Sequence, residues 1–543
     1  MSHARLAAAI AGAVLAATLH GATGLPQAEK EWHPPFGIPR PTFGITERAP
    51  IPPADWVTPT PGFYFVSPGT PGATDRDNPL GTPRMPRATV PRRLPAGSVV
   101  ELRGRYDTEH TGAALLRAEG TASQPVFIRG DSARPAEIVK PWEVSGSYVV
   151  VEHLRFKDRD GTTTGSFTFL APIDHAAIRH SDVSGNRRWG GLAIEGWTGS
   201  TAANVVVYDN RIHDNGDVRA NFDQDRHGIH VGERVNTVWI VDNEMWRNSG
   251  DGIQINARRS ALQASTHHIY VGRNVSHHNK QNGFWTKQAT DVIFSQNVAY
   301  AHRPSNSSLG VGLGFQYAPS RVWFIFNHVY DVEYGIQAAS DADLGIGTDS
   351  YFVGNVIHDV HDSDNDFNRA TAWQNCAISL AGGINRHVVH NTIHDVDSGI
   401  CSPSATGRID VHNNIVFGVR PDGHHVFVEF PAVAASTKGE GNVFGPTYRL
   451  NAGGTLRSFT KEEFGSNSVV RDPGFMRTGS WPLDLGSAAA VINRGAAAGL
   501  SVFRLYRSLY GEDIFHDVLG RPRQSGVRLD PGAFEAPSQA APR

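Results

Sequence analysis

A lysine, three aspartates and three arginines fall close together near the middle of this chain. Asp223, Asp225 and Arg226 lead into the apolar segment around Ile229, and Asp251 leads into the next, around Ile253. Arg258 and Arg259 follow that segment, and Lys287 lies in the one after it, NGFWTKQATDV. Carboxylates hold a hard divalent cation such as Ca2+. That cation, or a guanidinium, neutralises a carboxylate on a bound ligand, and a lysine relieved of its proton is a general base. The set suits removal of the weakly acidic proton beside the carboxylate of a uronic acid, the first step of a β-elimination. Asp223, Asp225 and Asp251 are therefore the expected metal ligands, Lys287 the base, and Arg226 and Arg258 its catalytic partners.

Such a set needs a scaffold that lays distant segments side by side. Between Asp223 and Ala339, short segments introduced by glycine (HGIHV, DGIQI, NGFWT, GLGFQ, YGIQA) alternate with a second track (NTVWIVDN, HHIYVGRN, DVIFSQN, VWFIFNH). Two strand tracks repeating every 20 to 35 residues or so predict a β-solenoid. Side chains alternate across a strand. With Ile229, Ile253, Phe284, Phe315 and Ile336 inward, His230, Gln254, Trp285, Gln316 and Gln337 point outward, and two residues further on come Gly232, Asn256, Lys287, Ala318 and Ala339. Amides and a tryptophan on one face can meet the hydroxyls and the apolar side of a pyranose, although a row of amides equally suits a structural ladder. The expected substrate-binding residues are Trp285, His230, Gln254, Asn256, Gln316 and Arg259. At about 4.8 Å per coil, acids, arginines and lysine are expected within roughly 10 to 15 Å.

The rest of the chain fits an exported β protein. Its 57 glycines and 33 prolines, with only 4 methionines, favour many turns over long helices. A formal charge of -3 supplies no basic patch, so nucleic acid is not an expected partner. Residues 1–24 pair His3 and Arg5 with an apolar run from Leu6 to Leu19, the pattern of a secretory signal, and no later run is long enough to span a membrane; the expected location is secreted or periplasmic. A proline-rich arm is expected over 25–62, the solenoid over 63–418, and the last coils with a closing cap over 419–543. Asn210, Asn243, Asn274, Asn297, Asn327, Asn355, Asn391 and Asn413 recur at one turn and predict an amide ladder. The His-Asp pairs at 213–214, 358–359 and 394–395 recur likewise and read as scaffold. Asp362, Asp364 and Asp366 mark a solvated rim loop, with a metal site as the alternative. Cys376 and Cys401, one coil apart, are open to pairing or to burial as free thiols.

The order YFVSP, PAGSVVELRG, an IRG turn and VVVEHLRF, together with the tail RPRQSGVRLDPGAFE, resembles secreted bacterial right-handed parallel β-helix proteins, many of them polysaccharide lyases of the pectate and alginate type. The resemblance implies an all-β right-handed parallel β-helix that acts on an acidic polysaccharide, with Lys287 as base and calcium held by acidic ligands. NGFWTKQATDVIFSQN also looks like the lysine coil of alginate and chondroitin lyases, but Lys280 and Asn282 stand where those enzymes carry acids. Hydrolysis by Asp223, Asp225 and Asp251, C5 epimerisation and non-catalytic carbohydrate binding are the competing expectations.

Overall fold

The computed structural model describes residues 31–536 except 108–114, 158–164, 188–189, 341–343, 364–374, 446–449, 453–464, 477–480, 482, 487–488 and 524–527. The signal-like residues 1–24, the start of the arm, and Asp364 and Asp366 lie outside the described residues. Each coil carries three strands. One coil runs through Ile229–Val231, Val235–Val241 and Glu244–Trp246 before Ile253–Ile255 begins the next. Equivalent strands pair in parallel from coil to coil, as in Ile229↔Ile253, Val238↔Ile269 and Met245↔Ser276. The stack is thus a parallel β-helix of three sheets, here called first, second and third in that order, and parallel crossovers of this kind take the right hand.

Inward positions carry β-branched and aromatic side chains, which fit a pleated, buried surface. Ile229, Ile253, Phe284, Leu313 and Ile336 stack in register and are fully buried in one continuous core. The turn from the second to the third sheet follows a two-residue rule. The first residue is left-handed, as at Asp242, Arg273, Gln296 and Phe326, and the next is asparagine. Each asparagine Nδ2 donates to the Oδ1 of the next rung, 3.0 Å for Asn274 to Asn297 and 3.0 Å for Asn297 to Asn327, and also to a core carbonyl. The expected ladder is present with one correction. Asn413 occupies the left-handed position and bonds the tail, while Asn414 makes the rung to Asn442. On the outside of the third sheet the His-Asp turn at 213–214 sits in a column of stacked rings, whereas Asp359 and Asp395 of the other two turns close on His361. His213 stacks on Trp246 at 4.1 Å, Trp246 on His277 at 5.9 Å, and His277 on Tyr300 at 4.9 Å.

The second sheet is covered by both ends of the chain. The arm crosses it, Trp239 Nε1 donating to Pro39 O at 2.8 Å and Arg179 to Ile45 O at 2.7 Å. Helix Leu500–Tyr510 packs beside the arm, with Tyr506 Oη donating to Gly37 O at 2.6 Å. This helix of the tail therefore lies along the flank of the stack, while Lys438–Glu440, Val443–Phe444 and Ser468–Val469 continue its last coils. Cys376 and Cys401 form a disulfide against Phe427, outside the main core.

Candidate functional site

With the second sheet covered and the third lined by edge-on stacked rings, the outward side of the first sheet is where the expected site residues fall. Its strands are short, only Ile229–Val231, Ile253–Ile255 and Phe284–Thr286 in three successive coils, so loops at both edges lie close to every outward side chain. The row just beyond these strands is set by backbone bonds. Gly232 N–H donates to Ile194 O at 2.9 Å, Asn256 to Val231 O at 2.8 Å, Lys287 to Ile255 O at 2.8 Å and Gln316 to Thr286 O at 3.0 Å. Asn256, Lys287 and Gln316 are therefore neighbours on adjacent coils, all partly exposed.

This corrects the register for one strand. Leu313, not Phe315, pairs with Phe284, and Gly314, not Gln316, pairs with Trp285. A shift of two residues leaves each side chain on its expected face but moves it along the strand. The matching glycine of Gly283 is Gly312, whereas the Gly-Phe pair at 314–315 imitates the one at 283–284. Trp285 is then no sugar platform. It is 6% exposed, packed with Val311, Tyr334 and Leu309, and a Cβ on Gly314 would stand 2.4 Å from its ring.

Behind Lys287 lies a buried polar group. Asp251 is 1% exposed and accepts from Asn282 N at 3.1 Å, Asn282 Nδ2 at 2.8 Å and Gln254 Nε2 at 2.9 Å. Burial raises its pKa to about 7 against the pull of Gln254, Lys287 and Asn282. His227 Nδ1 accepts the Asp251 N–H at 3.0 Å, so the ring carries its proton on Nε2, and burial, with the charges of His230, Lys287 and Arg226, holds its pKa well below the usual histidine range. His230 stacks on His227 at 6.0 Å, and its Nε2 stands 3.2 Å from Glu195 Oε1. Gln254 is likewise buried and committed to Asp251. Sequence reasoning missed Glu195 and His227. Aligning GLAIE with GIHVG would have put Glu195 beside Gly232 on the row of Lys287, as the paired strands do.

The expected metal trio does not assemble. Asp223 and Asp225 come together through Gln281 Nε2, at 2.8 Å and 2.9 Å, and Ser307 Oγ also donates to Asp223. Asp251 is instead saturated by amide donors. Among the described residues, the only three His, Cys, Asp or Glu side chains whose ligand atoms all approach within 4.8 Å are Asp359, His361 and Asp395. The Asp223–Asp225 pair, at the level of Gln281, enters the strands six residues before the row of Lys287, up to roughly 20 Å of extended chain. Counting coils alone overlooked that offset. Arg226 is on the same entry side, its stem packed on Gly216, and burial lowers its pKa. Arg258 and Arg259 follow Asn256 on the exit side with Lys287. These residues do not fit calcium at Asp223, Asp225 and Asp251.

A groove of about 1140 Å³ lies elsewhere, between the arm and Glu152, Arg179 and Tyr208. Among the described residues no helix is long and apolar enough to cross a membrane.

No curated protein matches the chain. Among solved structures it is similar to a GH136 lacto-N-biosidase from Eubacterium ramulus, with 13% identity over 72% of this chain and 67% of that one and a TM-score of 0.40. It is also similar to the PL6 family alginate lyase AlyGC, with 15% identity, 69% and 51% coverage and a TM-score of 0.43. For the pectate lyase Pel9A the values are 13%, 88% and 96%, and 0.40. Residues 169–357 match the family described as right handed beta helix region, and with the coil registers above, the chain is a right-handed parallel β-helix.

Proposed function

We propose that this protein cleaves a uronic-acid-containing polysaccharide by β-elimination on the outward side of the first sheet, with Lys287 as base. One observation carries the reading. Lys287 is the only cation on the row Gly232, Asn256, Lys287, Gln316, Ala339, is half-buried, and makes no ion pair among the described residues. A lysine committed to a structural salt bridge could not exchange a proton with a ligand, and this one is free to.

In the proposed step the Lys287 Nζ lone pair takes the C5 proton of the uronate, the C–H electrons form the C4=C5 double bond, and the C4–O bond breaks. The leaving oxygen takes a proton from solvent. Asn256 and Gln316 flank the reacting sugar with amide donors, and the arginines of the exit side neutralise its carboxylate. Calcium enters no step, so a chelator is expected to leave the rate unchanged. The Cys376–Cys401 disulfide supports an oxidising compartment, which agrees with export through residues 1–24.

The test is to incubate the protein with polygalacturonate, alginate and glycosaminoglycans and follow ultraviolet absorbance of the unsaturated product. New absorbance, lost in Lys287→Ala, supports the reading. Reducing ends without absorbance would assign hydrolysis, and a changed C5 configuration without cleavage would assign epimerisation.

A further inference from the structure

Glu195 is fully buried, yet it lies on the outward row that carries Lys287. A carboxylate taken out of water needs a cation, and Arg258 supplies it from two coils further on, its Nη2 donating to Glu195 Oε1 at 3.1 Å while 41% of its side chain stays in solvent. The coil between them contributes Gly232, where a Cβ would stand 2.1 Å from Glu195 Oε2, so a side chain there would displace the carboxylate from this position. Arg258 is itself held in a left-handed conformation, φ 60°, with its N–H on Asn256 Oδ1 at 2.8 Å. A buried anchor, a gap left by glycine and an asparagine-locked turn together fix one guanidinium at Glu195, on the outward row that runs through Gly232 and Asn256 to Lys287.

We infer that Glu195 is a positioning residue that aims the exposed edge of Arg258 at a carboxylate-bearing sugar, and that this pair selects acidic over neutral glycans at the site. The inference rests on the proposed function for the location of the site, though not for the chemistry done there. A guanidinium held on one side keeps further N–H donors in a planar fork that matches a carboxylate. It also costs less order on binding than a free arginine would.

The test measures binding by calorimetry with oligogalacturonate and oligoalginate, each beside its carboxyl-reduced counterpart. The wild type is expected to prefer at least one acidic oligosaccharide by about tenfold or more. Arg258→Ala should abolish the preference, Arg258→Lys should restore part of it, and Glu195→Gln should reduce it without a matching loss for the neutral ligand. Binding to none of these ligands, or Arg258→Ala and Glu195→Gln weakening acidic and neutral ligands alike, would overturn the inference. If Glu195→Gln does not fold, the two Arg258 variants decide. Failure of the elimination reading would appear separately, as bound acidic oligosaccharide without unsaturated product.

Discussion

Lys287 Nζ lies 5.5 Å from the centre of the Tyr317 ring, which rises from the next coil just past Gln316. The contact holds the ammonium over an aromatic face without tying it to a counter-ion. Lys287→Ala is expected to lower the rate of unsaturated-product formation by at least about 100-fold while moving the thermal midpoint by no more than a few degrees. Lys287→Arg, which keeps the charge and loses the base, should be equally inactive. Activity within a few-fold of wild type in either variant would remove Lys287 from the chemistry.

Asp251 should make stability depend on pH in an unusual direction. Its pKa in the fold is about 7, raised by burial, whereas the unfolded chain releases the proton near pH 4 or so. The folded protein therefore binds the extra proton between those values, and stability falls as pH rises from about 4 toward 7. Denaturant midpoints of wild type and Asp251→Asn across that range check this: the substitution, which cannot ionise, should flatten the slope. Parallel slopes would show that Asp251 titrates normally.

Asn297 sits in the middle of the amide ladder, accepting from Asn274 and donating to Val271 O and Asn327. Asn297→Ala leaves buried donors and a carbonyl without partners, and should cost about 3 kcal/mol in a urea titration. A loss below about 1 kcal/mol would mean that the neighbouring rungs close over the gap.

The Cys376–Cys401 bond closes a loop with a sequence separation of 25 residues. Reduction, or Cys401→Ser, is expected to lower stability by about 3 kcal/mol, read as a shift in denaturant midpoint with and without reductant. No shift would place the benefit of the bond elsewhere than in stability.

Much of the scaffold was legible because it repeats. The period, the inward isoleucines and the asparagine track come directly from residue spacing. The left-handed residue ahead of each rung was not visible, which is why Asn413 and Asn414 exchanged roles. The site was harder to read because it depends on where along a strand each side chain falls. Trp285 was assigned to the outward face correctly, but what covers it comes from Val311, Tyr334 and a register set by Gly312. Asp223, Asp225 and Asp251 looked like one ligand set beside Lys287 because sequence shows neither the amides that occupy Asp251 nor the six-residue offset between Gln281, which holds Asp223 and Asp225, and Lys287. Glu195 could have been found by strand alignment; its pairing with Arg258 required the three-dimensional stack.

The bond from Tyr506 to Gly37 joins residues 469 apart in sequence, and between them the arm reaches from Gln296, bonded to Phe36 N, back to Arg179. A bare solenoid tolerates gain or loss of a whole coil, since each coil meets only its neighbours. Here that freedom is gone. Deleting one coil between Arg179 and Gln296 would shorten the stack by about 4.8 Å under an arm of unchanged length, and the arm would meet its anchor points out of step. The two chain ends act as a ruler laid against the helix, so this lineage can change its loops far more readily than its number of turns.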